Sequence, residues 1–163
     1  MDTYVDNSKL GGKGTFAKIP IKKGQHLTIL SGETITTNQA IERIEKGQEN
    51  KDDLLQIDEG LYIDLDEPPR LINHSCNPNA GIRGKNELFA IKDIRSGEEI
   101  TYDYSTVVGT NIPPEIWTMK CICNESNCRK IVGNVLSIPK DQLLEYQRLD
   151  ALPDFILKQL SSV

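Results

Sequence analysis

Apolar residues along this chain come in short runs, "QHLTIL" at 25–30, "GLYIDL" at 60–65, "NELFAI" at 86–91 and "EEITYDY" at 98–104, with Gly, Pro, Asn and Asp recurring between them from residue 11 to 115. That spacing predicts many short strands joined by tight turns. One helix interrupts them: Thr36 or Thr37 caps it, Ile41 and Ile44 give it an apolar stripe and Gly47 ends it, with no functional role foreseen. "ENKDD" at 49–53 reads as a solvated loop. After Pro139 the period changes, and "KDQLLEYQRL" and "PDFILKQL" carry helical apolar spacing, with Pro153 acceptable in a first helical turn. These two short helices either pack on the strand body or bind a partner. A mainly β, α+β fold in one domain follows, without internal repeat or linker.

Bulk properties narrow the classes of function. A chain of 163 residues with 37% hydrophobic and 26% charged content can bury a core without disulfide staples. The net charge of -5 argues against direct nucleic-acid binding, which requires a basic surface, and favours a basic peptide or protein partner. No apolar run is long enough to span a bilayer, and the opening Met-Asp-Thr-Tyr lacks the profile of a secretion signal. A reducing compartment, cytoplasm or nucleus, is expected, and the oligomeric state is open.

The candidate chemistry sits in four segments. "GGKGTFA" at 11–17 superficially fits a dinucleotide loop, but Pro20 leaves no room for the helix that such a loop requires. The glycines still let a different ligand approach the backbone. Cys121, Cys123 and Cys128 form a C-x-C-x4-C cluster, and Cys76, the only other cysteine, completes a set of four thiolates for one tetrahedral zinc ion. Four reduced cysteines that bind nothing are the alternative. Cys76 and His74 also admit a reading as nucleophile and base. Alternate side chains on an extended strand lie about 7 Å apart, however, so a tight contact between them requires a bend. Finally, Tyr102 and Tyr104 flank Asp103 and would share one face of a regular strand, either lining a slot or packing as ordinary β residues.

In combination these segments resemble the SET-domain protein lysine methyltransferases over about residues 3–132. "GKGTFA" resembles the first cofactor-binding stretch of the family and "LSGE" at 30–33 its second motif; "RLINHSCNPN" and "GEEITYDY" are very close to its two signature segments; "CICNESNCRK" resembles its zinc-binding post-SET element. The resemblance implies a β-clip of small twisted sheets in which the segment around Asn73 threads a loop closed near Tyr104, a pseudoknot. It further implies a SET domain over 1–132, with the post-SET element at about 117–132 and a helical extension at 133–163 packed on the same domain.

By that resemblance, S-adenosylmethionine would be held by Lys13, Gly14, Thr15, Phe16, Arg70, Leu71, Asn73, His74 and Tyr104, and one structural zinc by Cys76, Cys121, Cys123 and Cys128. Ile122, with Trp117, would cover the adenine, or Trp117 would belong to the core. Tyr104 matches the tyrosine at the methyl-transfer centre and Tyr102 the position that influences how many methyls are added, with monomethylation the expected bias. Leu30 stands where the family usually has a channel tyrosine. The implied substrate is a lysine in a basic protein or peptide, a histone or another. A zinc-stapled interaction module that keeps the fold without transfer is the alternative.

Overall fold

The computed structural model describes residues 2–162. Its strands are β1 (Thr3–Asn7), β2 (Lys13–Ala17), β3 (His26–Ile29), β4 (Gly32–Thr36), β5 (Leu54–Asp58), β6 (Leu61–Leu65), β7 (Asn73–His74), β8 (Ala80–Arg83), β9 (Glu87–Ala90), β10 (Thr101–Tyr102), β11 (Met119–Lys120) and β12 (Ile131–Val132). They form five small sheets: β1-β2, β4-β6-β5, β3-β9-β8, β11-β12, and the two-residue parallel pair β10-β7. Two short sheets close one core because each contributes an apolar face. Leu55, Ile57, Ile63 and Leu65 come from β5 and β6, and Leu27, Ala80, Ile82, Leu88 and Ala90 from the three-stranded sheet opposite. Leu30, Ile82, Leu88 and Ile100 have no solvent exposure at all, and each such side chain contributes about 1.5–3 kcal/mol through its burial.

The expected helix is α1 (Thr37–Glu45), and its start is fixed by a capping box: the Gln39 N–H donates to the Thr36 hydroxyl while the Gln39 side chain accepts from the Thr36 N–H. Beyond its C-cap, Gly47 adopts a φ of 64°, as a left-handed helix exit requires. The apolar stripe does not enter the core. Ile41 and Ile44 remain 49% and 37% exposed, and Ala40 alone is buried.

The parallel pair places Asn73 opposite Thr101 and His74 opposite Tyr102. Asn79 locks this crossing from the side, since its backbone-facing amide donates to the Glu99 carbonyl at 2.8 Å and accepts from the Thr101 N–H at 3.0 Å. Such an arrangement requires the chain from 73 to 79 to run beside the loop that ends at Tyr104, as the resemblance implies.

Past β12 the chain makes a 3-10 turn at Val135–Ser137 and then helices α2 (Lys140–Arg148) and α3 (Asp154–Leu160). Val135, Ile138, Tyr146, Leu152, Phe155 and Ile156 form a second core with Phe89 and Ile91. Gly81 permits the close approach: a Cβ there would lie 2.6 Å from the Ala151 Cβ and 3.0 Å from Ile91 Cγ2. Gly81→Ala therefore overpacks this seam and should lower stability by about 1–3 kcal/mol, read as an earlier urea midpoint. An unchanged midpoint would mean that the helices dock elsewhere.

Candidate active site

Asn73 is the hub of the glycine-rich face. Its amide nitrogen donates to the Lys13 carbonyl at 2.9 Å and to Glu99 Oε1 at 2.7 Å, while the Thr15 hydroxyl donates to the Leu71 carbonyl at 3.3 Å. The structure thus brings Lys13, Gly14, Thr15, Leu71 and Asn73 together. Gly14 has to be glycine here, because a Cβ would lie 2.2 Å from Glu99 Oε1. Phe16 belongs to the same strand but stacks on Tyr4 at 5.6 Å. Ile122 is 55% exposed and hangs over the turn at Gly11, whose φ of 96° leaves its backbone open. Arg70 takes another course, its guanidinium donating to the Leu65 carbonyl at 2.7 Å and to Asp64 Oδ1 at 2.6 Å, so only its backbone adjoins this face. Glu99, which ties Ser8, Asn73 and the Gly14 strand together, carried no distinguishing signal in the sequence.

On the other side of the tyrosines lies a cavity of about 490 Å³. Tyr102 and Tyr104 share it although the strand ends between them: their ring centroids are 4.8 Å apart, Tyr102 closing β10 and Tyr104 opening a 3-10 turn capped by Asp103. The Tyr104 hydroxyl donates to the Ile72 carbonyl at 2.9 Å. Burial, reinforced by the nearby Asp53, pushes its phenol well above the usual range, and burial does the same for Tyr102. Both therefore stay neutral near pH 7. Among the described residues the Tyr102 hydroxyl has no hydrogen-bond partner.

Three sequence expectations are corrected at this cavity, and a choice left open for Trp117 is decided there. Ile41 and Ile44 of α1 line it, so the helix contributes to the site. "ENKDD" is not simply solvated, because Glu49 pairs with Arg70 and its side chain is 5% exposed, and Lys51 and Asp52 border the cavity. Trp117 takes the core alternative: it is buried in a small cluster with Cys76, Cys121, Cys123 and Val132, and at the cavity wall it donates from Nε1 to Asp52 Oδ1 at 2.9 Å. Leu30 has no exposure, belongs to the main core and does not line the cavity.

His74 and Cys76 do touch. The chain bends at Cys76, and His74 Nε2 lies 3.4 Å from the Cys76 sulfur. Burial lowers the imidazole pKa to about 4, so His74 is neutral, and because its Nδ1 accepts the Tyr104 N–H at 3.1 Å the ring proton sits on Nε2, facing the sulfur. Nothing here makes a nucleophile, since the same sulfur joins Cys121, Cys123 and Cys128. All four sulfurs lie within 4.8 Å of one another, with Cys76 and Cys121 at 3.8 Å. A zinc tetrahedron with bonds near 2.3 Å has edges of about 3.8 Å. The cluster can hold a metal.

The electrostatics of the cluster point the same way. Burial pushes the Cys76 and Cys121 thiols up, whereas the Lys130 backbone N–H brings Cys128 down to about 7. A bound dication would favour the thiolate at every position. Beside Cys76 lies the Arg129 guanidinium, its side chain 8% exposed, with Nε and Nη1 lacking a hydrogen-bond partner among the described residues. Its remaining nitrogen, Nη2, donates to Asp103 Oδ1 at 2.5 Å.

Comparison with known proteins agrees with this geometry. The SET domain family profile matches residues 12–105, more than half of the chain. The chain belongs to the SET-domain family. It is 33% identical over 134 residues to the histone-lysine N-methyltransferase ash1 of Drosophila melanogaster, covering 75% of this chain and 6% of that one. To the H3 lysine-9 specific histone-lysine N-methyltransferase KMT1 of Fusarium mangiferae it is 33% identical over 156 residues, covering 74% and 45%. The chain thus spans less than half the length of these relatives. The structure of the Neurospora SET domain protein DIM-5, a histone lysine methyltransferase, matches with a TM-score of 0.54 at 30% identity, over 63% of this chain and 51% of that one. Small sheets with short helices are the shared SET fold. Among the described residues, no helix is long and apolar enough to cross a membrane.

Proposed function

We propose that this SET domain transfers a methyl group from S-adenosylmethionine to the amine of a protein lysine. The observation that carries the reading is the placement of Tyr104, which lines the apolar cavity together with Tyr102 and is hydrogen-bonded to Ile72 and His74, the residues on either side of Asn73 in the glycine-rich face. A cofactor on one side and a lysine entering from the other would meet at those hydroxyls. The exposed turn at Gly11, the apolar Ile122 above it and the carbonyl oxygen of the Asn73 side chain, which has no hydrogen-bond partner among the described residues, fit a ligand with both polar and flat apolar parts. S-adenosylmethionine supplies a methyl group on a positively charged sulfur.

The chain's own contribution is alignment. A lysine with a reference pKa of about 10.4 is almost entirely protonated at pH 7, and the apolar cavity favours its neutral form. Tyr104, fixed by the Ile72 carbonyl and kept neutral by burial, orients the amine and stabilises charge at the transferring carbon without serving as the base. The cavity wall, built from Ile41, Ile44, Ile112, Ile116 and Trp117, suits a substrate segment that presents apolar side chains near its lysine. The net charge of -5 favours a partner that is basic overall, a histone among them. Reduced cysteines fit a cytoplasmic or nuclear setting. Preservation of both tyrosines and of Asn73 favours an enzyme over an inert interaction module.

Zinc would be held by Cys76, Cys121, Cys123 and Cys128. Four thiolates around a dication carry net negative charge, and the unpartnered nitrogens of Arg129 beside Cys76 suit exactly that need for a countercharge. Metal analysis of untagged protein should find one zinc per chain, and chelation should weaken cofactor binding. Less than about half an equivalent under metal-replete conditions would count against the assignment.

Radiolabelled transfer into a panel of lysine-containing proteins tests the function itself. In that assay Tyr104→Phe should lower turnover on the order of a hundredfold while calorimetric cofactor affinity changes little. Near-normal turnover would remove Tyr104 from the transfer step.

The same reaction reads the methylation state. The unpartnered Tyr102 hydroxyl can hold a water where a methylated amine would otherwise sit, so monomethyl-lysine should dominate. Tyr102→Phe should shift mass spectra toward dimethyl and trimethyl product. Trimethyl-lysine as the main product of the unmutated chain would refute this role.

A further inference from the structure

The family match ends at residue 105, yet helix α2, which begins at Lys140, reaches back into the site with two polar side chains. Tyr146 is 4% exposed, and its hydroxyl donates to Asp103 Oδ2 at 3.1 Å. Gln142, one turn earlier, donates from Nε2 to that hydroxyl at 2.6 Å and to the Cys76 carbonyl at 2.6 Å. Two side chains on α2, in series, therefore link the carboxylate between the two tyrosines to the backbone of a cysteine in the sulfur cluster.

The carboxylate is where that link takes effect. Asp103 caps the 3-10 turn that carries Tyr104: its Oδ1 accepts the Ser105 N–H at 3.1 Å, and it lies 3.7 Å from His74 Nδ1, the atom that accepts the Tyr104 N–H. A buried carboxylate seeks donors for both oxygens. Oδ1 is served by Arg129 and Ser105, whereas Oδ2 is served by Tyr146. Take the Tyr146 hydroxyl away, and Oδ2 loses its donor in a site closed to water. The carboxylate must then rotate, and the turn bearing Tyr104 rotates with it.

We propose that helix α2 is a positioning element of the transfer site, in which Tyr146 and Gln142 hold Asp103 and Cys76 in place and thereby seat Tyr104. The catalytic part of this inference rests on the methyl-transfer reading of Tyr104. The seating itself rests only on the hydrogen bonds. Tyr146 touches neither cofactor nor lysine, so it acts through Asp103 and not as a catalytic residue.

Tyr146→Phe isolates the claim, because it deletes one hydroxyl and keeps the ring that packs against Leu152 and its neighbours. Residue-resolved amide hydrogen exchange should show the Tyr104 and Ser105 amides exchanging about tenfold faster, with the amides of α3 unchanged. Turnover on core histones, used as the probe, should fall about tenfold while the calorimetric cofactor affinity stays near that of the unmutated chain; the melting temperature should drop as well, because a buried carboxylate oxygen loses its donor, but no further than in the packing variant that follows. Leu152→Ala provides the contrast: it opens the same helical core, so the melt should fall while turnover well below the melt is retained. Unchanged exchange at Tyr104 and Ser105 in Tyr146→Phe would overturn the proposal, as would faster exchange spread evenly over α2 and α3, which is what a merely structural hydroxyl would give. Should the unmutated chain transfer no methyl group to any protein, the functional reading fails, and the exchange measurement still decides the seating.

Discussion

Asp103 is a carboxylate with no side-chain exposure, and the rest of the site is organised by the need to satisfy it. Leaving such a charge uncompensated costs several kcal/mol, and removing one partner of a buried ion pair typically costs about 3–5 kcal/mol. Its donors come from three places in the chain. Ser105 belongs to its own turn, Arg129 to the cysteine-rich segment and Tyr146 to the C-terminal helices. Because none of these can reach Asp103 unless its own region is folded and docked, one buried charge makes the turn, the cysteine lobe and the helical tail interdependent. The parallel β7-β10 pair is only two residues long and could not enforce that by itself.

This arrangement explains how the residues beside an open cavity are held in place. Tyr104 is held at both ends, its N–H by His74 and its hydroxyl by the Ile72 carbonyl. His74 in turn is held neutral by burial and faces the Cys76 sulfur, so the imidazole joins the tyrosine to the four-cysteine cluster. The glycine-rich strand is tied in separately through Asn73 and Glu99. Opposite it, α1, the 3-10 turn at Lys51–Asp53 and the segment around Trp117 form an apolar wall that is secured by the hydrogen bond from Trp117 to Asp52.

What could be read in the sequence was whatever is local. Glycine turns, the capped helix at 37–45, the helical spacing after Pro139 and the two signature segments are each encoded within about ten consecutive residues, and the four cysteines could be paired by counting. The long-range polar contacts could not be read in that way. Asp103 was visible between its tyrosines, but nothing in the sequence linked it to Arg129 or to Tyr146, 26 and 43 positions away. The stripe on α1 shows the related limit, since periodicity announces an apolar face without saying whether a core or an open cavity lies against it. His74 and Cys76 show a third. Pleated spacing keeps alternate residues apart, and a single bend at Cys76 brings them into contact.

Leu30 bears most directly on how the site handles its product. Where the family usually offers a tyrosine, this chain has a side chain with no exposure, packed in the main core, whose carbonyl accepts from the Asn86 amide at 2.8 Å. A leucine brings no hydroxyl to the cavity wall and, being wholly covered, does not line the cavity either. The phenols lining the cavity near the transfer point are then Tyr102, Tyr104 and Tyr62, and burial raises the last of these as well. Tyr104 has committed its proton to Ile72. Tyr102 alone of the adjacent pair keeps a hydroxyl without a partner among the described residues, so under the proposed methyl-transfer reading the hydrogen bonding that distinguishes an amine from its methylated forms would fall on one residue. In a site where a channel tyrosine shared that task, loss of one hydroxyl would be cushioned by the other. Under the methyl-transfer reading proposed above no such cushion would exist here, and the product state would turn on a single atom, the Tyr102 oxygen.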